Sequence, residues 1–379
     1  MGWIGLGDRY AGHFDRHGLG IARRDAPRVE FYPDALMTRG TLLFEVQAPP
    51  DTCPLQLLHF SHSRPWARQF SIQITPNGIL EYIHQQENRT IQSTVAVPTS
   101  ETIRSVRISY AWDSIKGIGR LAAEHPGQLA PSIAYVKAPM PLLVSDLETE
   151  FGNTDLPGEL AFRALSADIE PLGPTGALAP QTSIATPSGY QSVGDLRRGD
   201  CVVTHDGQVM PILHCIHQFL PTRGSFQPVQ LFAPYFGLTS DIVVSAAQRV
   251  VIEGSDVGYM FNTDSVLLPA RNLINTQFAT QAPLGPVMLY VQLVLPEHDV
   301  LDAAGAMTES LYIGRLRRNV EHFFASAFAH EDRNTLPEHG QPISPALNPF
   351  DAIALAQQLT TQPSIKLGGH LSNNHSVFG

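Results

Sequence analysis

Charged side chains are scarce in this 379-residue chain, at 16% against about 25% in an average globular protein. Lys and Arg total 25, Asp and Glu total 35, and the net charge is -10. Because phosphate backbones are bound by clustered basic side chains, this balance argues against a nucleic-acid partner. The three cysteines, Cys53, Cys201 and Cys215, are too few and of odd number for a disulfide scaffold.

Long apolar runs are missing as well. No stretch approaches the ~18 apolar residues that would span a bilayer, and the first residues show no basic region followed by an apolar one, as a secretory signal would. We therefore expect no membrane partner. The expected location is the cytoplasm, or the exterior by a route that does not use a signal peptide.

Turn-forming residues are abundant, with 30 Gly and 30 Pro, and hydrophobic residues at 43% are sufficient for ordinary cores. This composition is typical of a turn-rich, mainly β protein. Residues 1–28 have no sustained period and are interpreted as an irregular N-terminal arm. Residues 29–170 contain short alternating runs such as FSIQIT at 70–75, followed by the hairpin signal Asn77-Gly78. Such strands without intervening helices predict an antiparallel sandwich.

The rest of the chain is divided by composition. Residues 171–181 are rich in Pro and Gly and are interpreted as a linker, and 182–318 form a second β-rich stretch with an Asp206-Gly207 turn. Apolar residues at Val320, Phe323, Phe324, Ala327 and Phe328 have helical spacing. Residues 319–379 are therefore predicted to form a short helix and then a poorly ordered, flexible tail, apart from one possible short helix at Asp351–Leu359.

The second stretch resembles the hedgehog/intein (Hint) family, and its bacterial branch in particular. The resemblance lies in six ordered blocks: TSIATPSG at 182–189, VGDLRRGD at 193–200, VTHDG at 203–207, VSAAQRVV at 244–251, LLPARNL at 267–273 and HDVL at 298–301. It implies an all-β horseshoe fold for residues 182–318. Residues 29–170 are similar to a laminin-G or concanavalin-type jelly-roll in strand rhythm and in the SYAWD segment at 109–113.

The Hint resemblance also implies positions for self-cleavage chemistry. In the family, an N-terminal Cys or Ser attacks the preceding carbonyl, and a His in a Thr-x-x-His-like block protonates the departing nitrogen. Here the nucleophile position is Ala177, the block His is replaced by Gln248, and the expected His of the penultimate strand is Gln292. Of the usual set only His298 is retained. A methyl group cannot attack a carbonyl, and an amide cannot transfer a proton near neutral pH.

These substitutions predict a degenerate Hint domain with no catalytic residues. The expected function is a non-catalytic binding or structural protein, whose jelly-roll recognises a carbohydrate or protein ligand. Trp66, beside Arg64, Pro65 and Arg68, is a candidate for the rim of that site. The alternative is an autoprocessing protein that cleaves itself near Gly176-Ala177. No cofactor or metal is expected in either case.

Overall fold

The computed structural model describes residues 2–20, 32, 34–47, 53–98, 105–126, 130–173, 176–283 and 285–361. These residues form a mainly β protein made of two successive β units, as the sequence predicts. No helix in these ranges is both long and apolar enough to cross a membrane.

The first domain is an antiparallel sandwich of two main sheets. Its described elements are β1 (Trp3–Gly7), β2 (Gly12–Phe14), β3 (Leu36–Met37), β4 (Arg39–Gln47), β5 (Leu55–His62), β6 (Arg68–Ile74), β7 (Ile79–Gln86), β8 (Arg89–Ala96), β9 (Ser105–Asp113), β10 (Ile118–Glu124), β11 (Ser132–Lys137), β12 (Leu142–Leu143), α1 (Val144–Gly152) and β13 (Leu160–Ser166). One sheet has the order β11-β10-β9-β4-β13-β1-β2 and the other β5-β6-β7-β8, while β3 pairs with β12.

Side chains alternate between the two faces of each strand, which explains why these two sheets pack face to face. Their inward side chains form one buried core with an aromatic centre that includes Phe70, Tyr82, Tyr110 and Trp112. The predicted hairpin is confirmed, since β6 and β7 are joined by a turn in which the Gly78 N–H donates to the Thr75 carbonyl. The jelly-roll-like sandwich is therefore the observed fold of the first domain.

The second domain is built from several smaller antiparallel sheets. Its described strands are β14 (Ser183–Thr186), β15 (Gly189–Ser192), β16 (Cys201–Val203), β17 (Val209–Pro211), β18 (His214–Pro221), β19 (Pro228–Leu231), β20 (Ile242–Ser245), β21 (Arg249–Glu253), β22 (Ser265–Pro269), β23 (Ala279–Gln281), β24 (Val287–Val294), β25 (Val300–Ala303) and β26 (Ala306–Glu309). The sheets have the orders β15-β14-β25-β26-β21-β22, β16-β17, β18-β24 and β20-β19-β23.

Helices in and after the second domain are short. They are α2 (Ser255–Phe261), α3 (Val320–Ala325) and α4 (Pro349–Thr361), with 3₁₀ turns at Gly224–Phe226, Tyr235–Gly237, Ala270–Leu273, Leu316–Arg318 and Arg333–Thr335. The helix predicted from the apolar spacing at 320–328 therefore exists but ends at Ala325. The Ser326 side chain donates to the Phe323 carbonyl and its backbone is extended.

The N-terminal segment differs from the predicted irregular arm. Strand β1 pairs with β13 and β2, and all five of its residues are buried. Five residues are too few to show a period in the sequence, but Trp3, Ile4 and Leu6 supply enough apolar surface for a strand. Residues 21–28 of the predicted arm lie outside the described residues.

The linker and the tail also differ from their predictions. Ala177, Leu178 and Ala179 are buried, and Leu178 lies between β20 and β24 with backbone bonds to Val291. Residues 331–361 pack on the second domain, and the buried face of α4 joins its core. The possible short helix at Asp351–Leu359 is confirmed as α4, whose buried residues Ala352, Leu355, Ala356 and Leu359 have helical spacing. The rest of the segment gave no such signal, so its packing was not predicted. Residues 174–175 and 362–379 lie outside the described residues, and the unit boundaries stay predictions.

The two domains share a buried interface. Trp3 and Phe162 of the first domain pack in one cluster with Phe226 and Tyr290 of the second. The Glu45 carboxylate accepts hydrogen bonds from the Ser225 N–H at 3.0 Å and the Ser225 hydroxyl at 2.6 Å. A β-carbon at position 224 would lie 2.5 Å from Glu45 Oε1, so this close approach requires Gly224.

Candidate functional site

The Gly176-Ala177 peptide bond lies inside the second domain, next to the end of β20. Ala177 is 1% exposed, and its N–H donates to Ser245 Oγ at 3.0 Å. Its own carbonyl accepts from the Ser245 N–H at 2.8 Å. The following residue, Leu178, is held between two strands, so the peptide bond has a fixed position.

Two of the predicted positions, Gln292 and Gln248, meet at this peptide bond. Gln292 is on β24, and its Nε2 donates to the Gly176 carbonyl at 2.8 Å. Gln248 follows the turn after β20, and a β-carbon at position 176 would lie 3.5 Å from Gln248 Oε1. The other end of this amide, Nε2, donates to the Glu309 carbonyl at 3.0 Å. The structure therefore brings Ala177, Gln248 and Gln292 together.

His298 belongs to a neighbouring buried cluster. Its Nδ1 accepts from the Ile343 N–H at 3.0 Å, so the hydrogen of the neutral ring is on Nε2. That nitrogen faces Glu309 Oε2 at 3.4 Å, and the other carboxylate oxygen lies 2.9 Å from Arg249 Nε. His298 Nδ1 is thus bonded away from the junction, whereas Nε2 lies close to Glu309 Oε2 without a hydrogen bond to it. Glu309 also contacts Gln248, because its backbone carbonyl accepts from the Gln248 amide.

Two residues of this region were missed by the sequence analysis. His339 lies 6.0 Å from the His298 ring, accepts from the Ile313 N–H and is bonded to the Leu295 carbonyl. Burial lowers the pKa of His339, which favours the neutral ring. No sequence signal marked it, because it lies in the segment interpreted as a tail. Ser245 could have been found, since it opens the SAAQ block that contains Gln248.

Comparison with known proteins identifies the domain that holds this peptide bond. The family model described as the Hint domain matches residues 177–315. The second domain is a Hint domain. The match begins at Ala177, the position that the sequence blocks assign to the family's nucleophile.

Solved structures of other proteins resemble parts of the chain. The CBM40 module of the Ruminococcus gnavus IT-sialidase has 15% identity and a TM-score of 0.25, covering 35% of this chain and 77% of that one. The gp41-1 intein has 12% identity and a TM-score of 0.25, covering 35% and 97%. The MchDnaB-1 intein has 18% identity and a TM-score of 0.23, covering 36% and 100%. No curated protein matches the chain.

The side chains on the Gly176-Ala177 peptide of the Hint domain limit its chemistry. The Gln292 amide polarises the Gly176 carbonyl as a hydrogen-bond donor, and the Ser245 hydroxyl accepts from the amide nitrogen. Neither group ionises near neutral pH, and neither can transfer a proton in the manner of an imidazole. The arrangement can hold and polarise the peptide bond, while the nucleophile position carries only the methyl group of Ala177.

Cys215 is the thiol nearest to Gln292 in strand register, but it points to the opposite face. Ile216 lies directly opposite Gln292 in the β18–β24 pair, so these two side chains share one face. The side chain of Cys215, one residue earlier, lies on the other face. Burial also raises the pKa of Cys215 to about 11, so the group is a thiol rather than a nucleophilic thiolate near neutral pH.

Proposed function

We propose that this is a non-catalytic binding protein, in which the Hint domain keeps its junction intact and supports the jelly-roll as the recognition module. The observation that carries the proposal is the state of the Gly176-Ala177 peptide. Its carbonyl is bonded by Gln292, its N–H is bonded by Ser245, and Ala177 stands where the family has a nucleophile.

The chemical requirement for self-cleavage explains why these contacts favour an inactive domain. An acyl shift needs an attacking thiol or hydroxyl and an acid that protonates the departing nitrogen. Ala177 cannot supply the first, and Gln248 cannot supply the second. The autoprocessing alternative would require substitutes for both groups at the same peptide bond.

The double substitution Ala177→Cys with Gln248→His tests this interpretation. It returns a thiol and a titrating imidazole to adjacent positions, so we expect slow, thiol-dependent cleavage after Gly176. Each single variant should do little, because attack without protonation of the nitrogen mostly reverses. A matched control combines Ala177→Cys with Gln208→His, which places the imidazole at an exposed position instead of position 248. Cleavage that is equally fast in the control would contradict the assigned role of position 248.

The free face of the jelly-roll supports a neutral, hydroxyl-rich ligand. The outer face of the seven-stranded sheet meets the Hint domain through Leu43 and Phe162, whereas the four-stranded sheet makes no such contact in the described residues. On its outer face, one row across all four strands consists of amide and hydroxyl side chains: Ser61, Gln69, Gln85 and Thr90. Such groups both donate and accept, as sugar hydroxyls do.

An open groove lies at the end of this row. Ser61, Gln69 and Gln85 line it together with His62 and Arg68. The proposed Trp66 rim has less support, because Trp66 is half-buried and the Arg68 guanidinium lies 5.4 Å from its ring centre. The groove rather than the tryptophan is therefore our candidate for a carbohydrate site.

Titration calorimetry with lactose and xylohexaose, guided by a glycan array, tests the jelly-roll proposal. For any carbohydrate that binds, we expect Gln69→Ala or Gln85→Ala to lower the affinity by about fivefold. This factor corresponds to the loss of one hydrogen bond. Gln92→Ala removes an exposed amide from β8 outside the groove and serves as the control. An array without any hit, or equal losses in all three variants, would contradict carbohydrate recognition here.

A further inference from the structure

The interface between the two domains contains a cavity of about 50 Å³. The jelly-roll contributes Arg107, Ser109 and Glu124 to its lining, and the Hint domain contributes Leu220, Phe226 and Leu311. A single water needs about 10–15 Å³ of the space that a water-sized sphere can occupy, so this cavity has room for about three or four non-hydrogen atoms. Both domains contribute polar and apolar side chains to this lining, and Gln218 and Gln292 are polar residues on the Hint side.

Two polar atoms on the jelly-roll side have no hydrogen-bond partner. Arg107 Nε and Ser109 Oγ are both buried, in side chains that are only 2% and 4% exposed. The two residues are separated by one position on β9, so their side chains project from the same face of the sheet. A buried polar group without a partner is costly, and native structures rarely leave two together.

The charges around the cavity select an uncharged occupant. The terminal nitrogen of Arg107 lies 2.9 Å from Glu124 Oε1, so this cation is already neutralised. An anion bound at Arg107 would face the Glu124 carboxylate, which already pairs with this guanidinium and also lines the cavity. A cation would face the arginine. What remains is a neutral oxygen that accepts from Arg107 Nε and Ser109 Oγ.

We propose that this cavity binds a small uncharged molecule of about three or four non-hydrogen atoms with a carbonyl-type oxygen. The oxygen accepts hydrogen bonds from Arg107 Nε and Ser109 Oγ, and the apolar remainder packs on Leu220 and Phe226. The site is formed by both domains and is independent of the function proposed above.

Acetamide and acetate test this proposal, because they share a shape and differ in charge. Saturation-transfer NMR on the full chain should show saturable acetamide binding in the millimolar range and at least tenfold weaker binding of acetate. Ser109→Val removes the hydroxyl and fills part of the cavity, so it should abolish the acetamide signal. Ser240→Val, at an exposed serine outside the cavity and the groove, should leave it unchanged.

A milder variant keeps the test valid if Ser109→Val does not fold. Ser109→Ala removes one hydrogen bond and should weaken acetamide binding by about fivefold. No acetamide binding to the unsubstituted protein would overturn the proposal and leave ordered water as the occupant. Equal binding to the Ser109 variants and the Ser240 control would also overturn it.

Discussion

Glu170 makes the stability of this protein depend on pH. Its Oε1 accepts from the Ser166 hydroxyl at 2.5 Å, and its backbone carbonyl accepts from Arg120 at 2.6 Å, near the domain interface. Burial raises the pKa of this carboxyl from 4.5 to about 7, although the Ser166 hydrogen bond acts in the opposite direction. The folded protein therefore keeps the proton over a range in which the unfolded chain has lost it.

The sign and size of the effect follow from this difference. The raised pKa of Glu170 contributes fully to the free energy of unfolding below pH 4.5. The contribution is lost as the pH rises to 7, because over this range the unfolded state binds fewer protons than the folded state. A pKa difference of about 2.5 corresponds to about 3 kcal/mol in the free energy of unfolding. Glu170 is only half-buried, and the solvent that reaches it screens its charge. We therefore expect a smaller contribution to the free energy of unfolding, about 1–2 kcal/mol.

Glu170→Gln should remove this component of the pH dependence. The glutamine oxygen can still accept from Ser166, so the variant should match the unsubstituted protein at pH 5 and be more stable by about 1–2 kcal/mol at pH 8. Urea unfolding at both pH values measures the difference, with the exposed Glu159→Gln as control. A Glu170→Gln variant whose pH dependence equals that of the control would refute the reasoning.

Three further predictions concern the packing of the chain. Ser225→Ala removes a hydrogen bond to the buried Glu45 carboxylate and should lower the free energy of unfolding by about 1.5–3 kcal/mol in urea titration; no loss would contradict the interface. Leu355→Ala should cost about 2–4 kcal/mol because the side chain is fully buried, whereas Ile353→Ala on the exposed side of α4 should cost under about 1 kcal/mol; equal values would mean that α4 is not docked. A fragment of residues 29–170 lacks β1 and should melt well below the same fragment extended to the N-terminus, as circular dichroism would show; equal melting would contradict the role of β1.

The sequence predicted local hairpins and the second domain's fold well because both depend on nearby or ordered residues. Asn77-Gly78 and Asp206-Gly207 each form the expected turn, since two adjacent residues determine the backbone there. The structure brings Ala177, Gln248 and Gln292 to one peptide bond. Their assignment to the family's catalytic positions stays a prediction.

Long-range packing could not be predicted in the same way. Strand β1 is stabilised by β13, about 160 residues further along the chain, and five residues carry no periodic signal of that pairing. The Pro- and Gly-rich stretch looked like a linker, yet Leu178 becomes buried when β20 and β24 bind it from both sides. His339 and Ile343 likewise contact the Hint domain only once the chain has folded, so no local sequence pattern predicts these contacts.

Intact mass measured under denaturing conditions tests the central claim most directly. The full-length protein is incubated near neutral pH with and without dithiothreitol, and denaturation separates any fragments that the domain interface would hold together. With a methyl group at Ala177 and an amide at Gln248, we expect one full-length species under both conditions. A fragment whose N-terminus is Ala177, formed without added protease, would contradict the account.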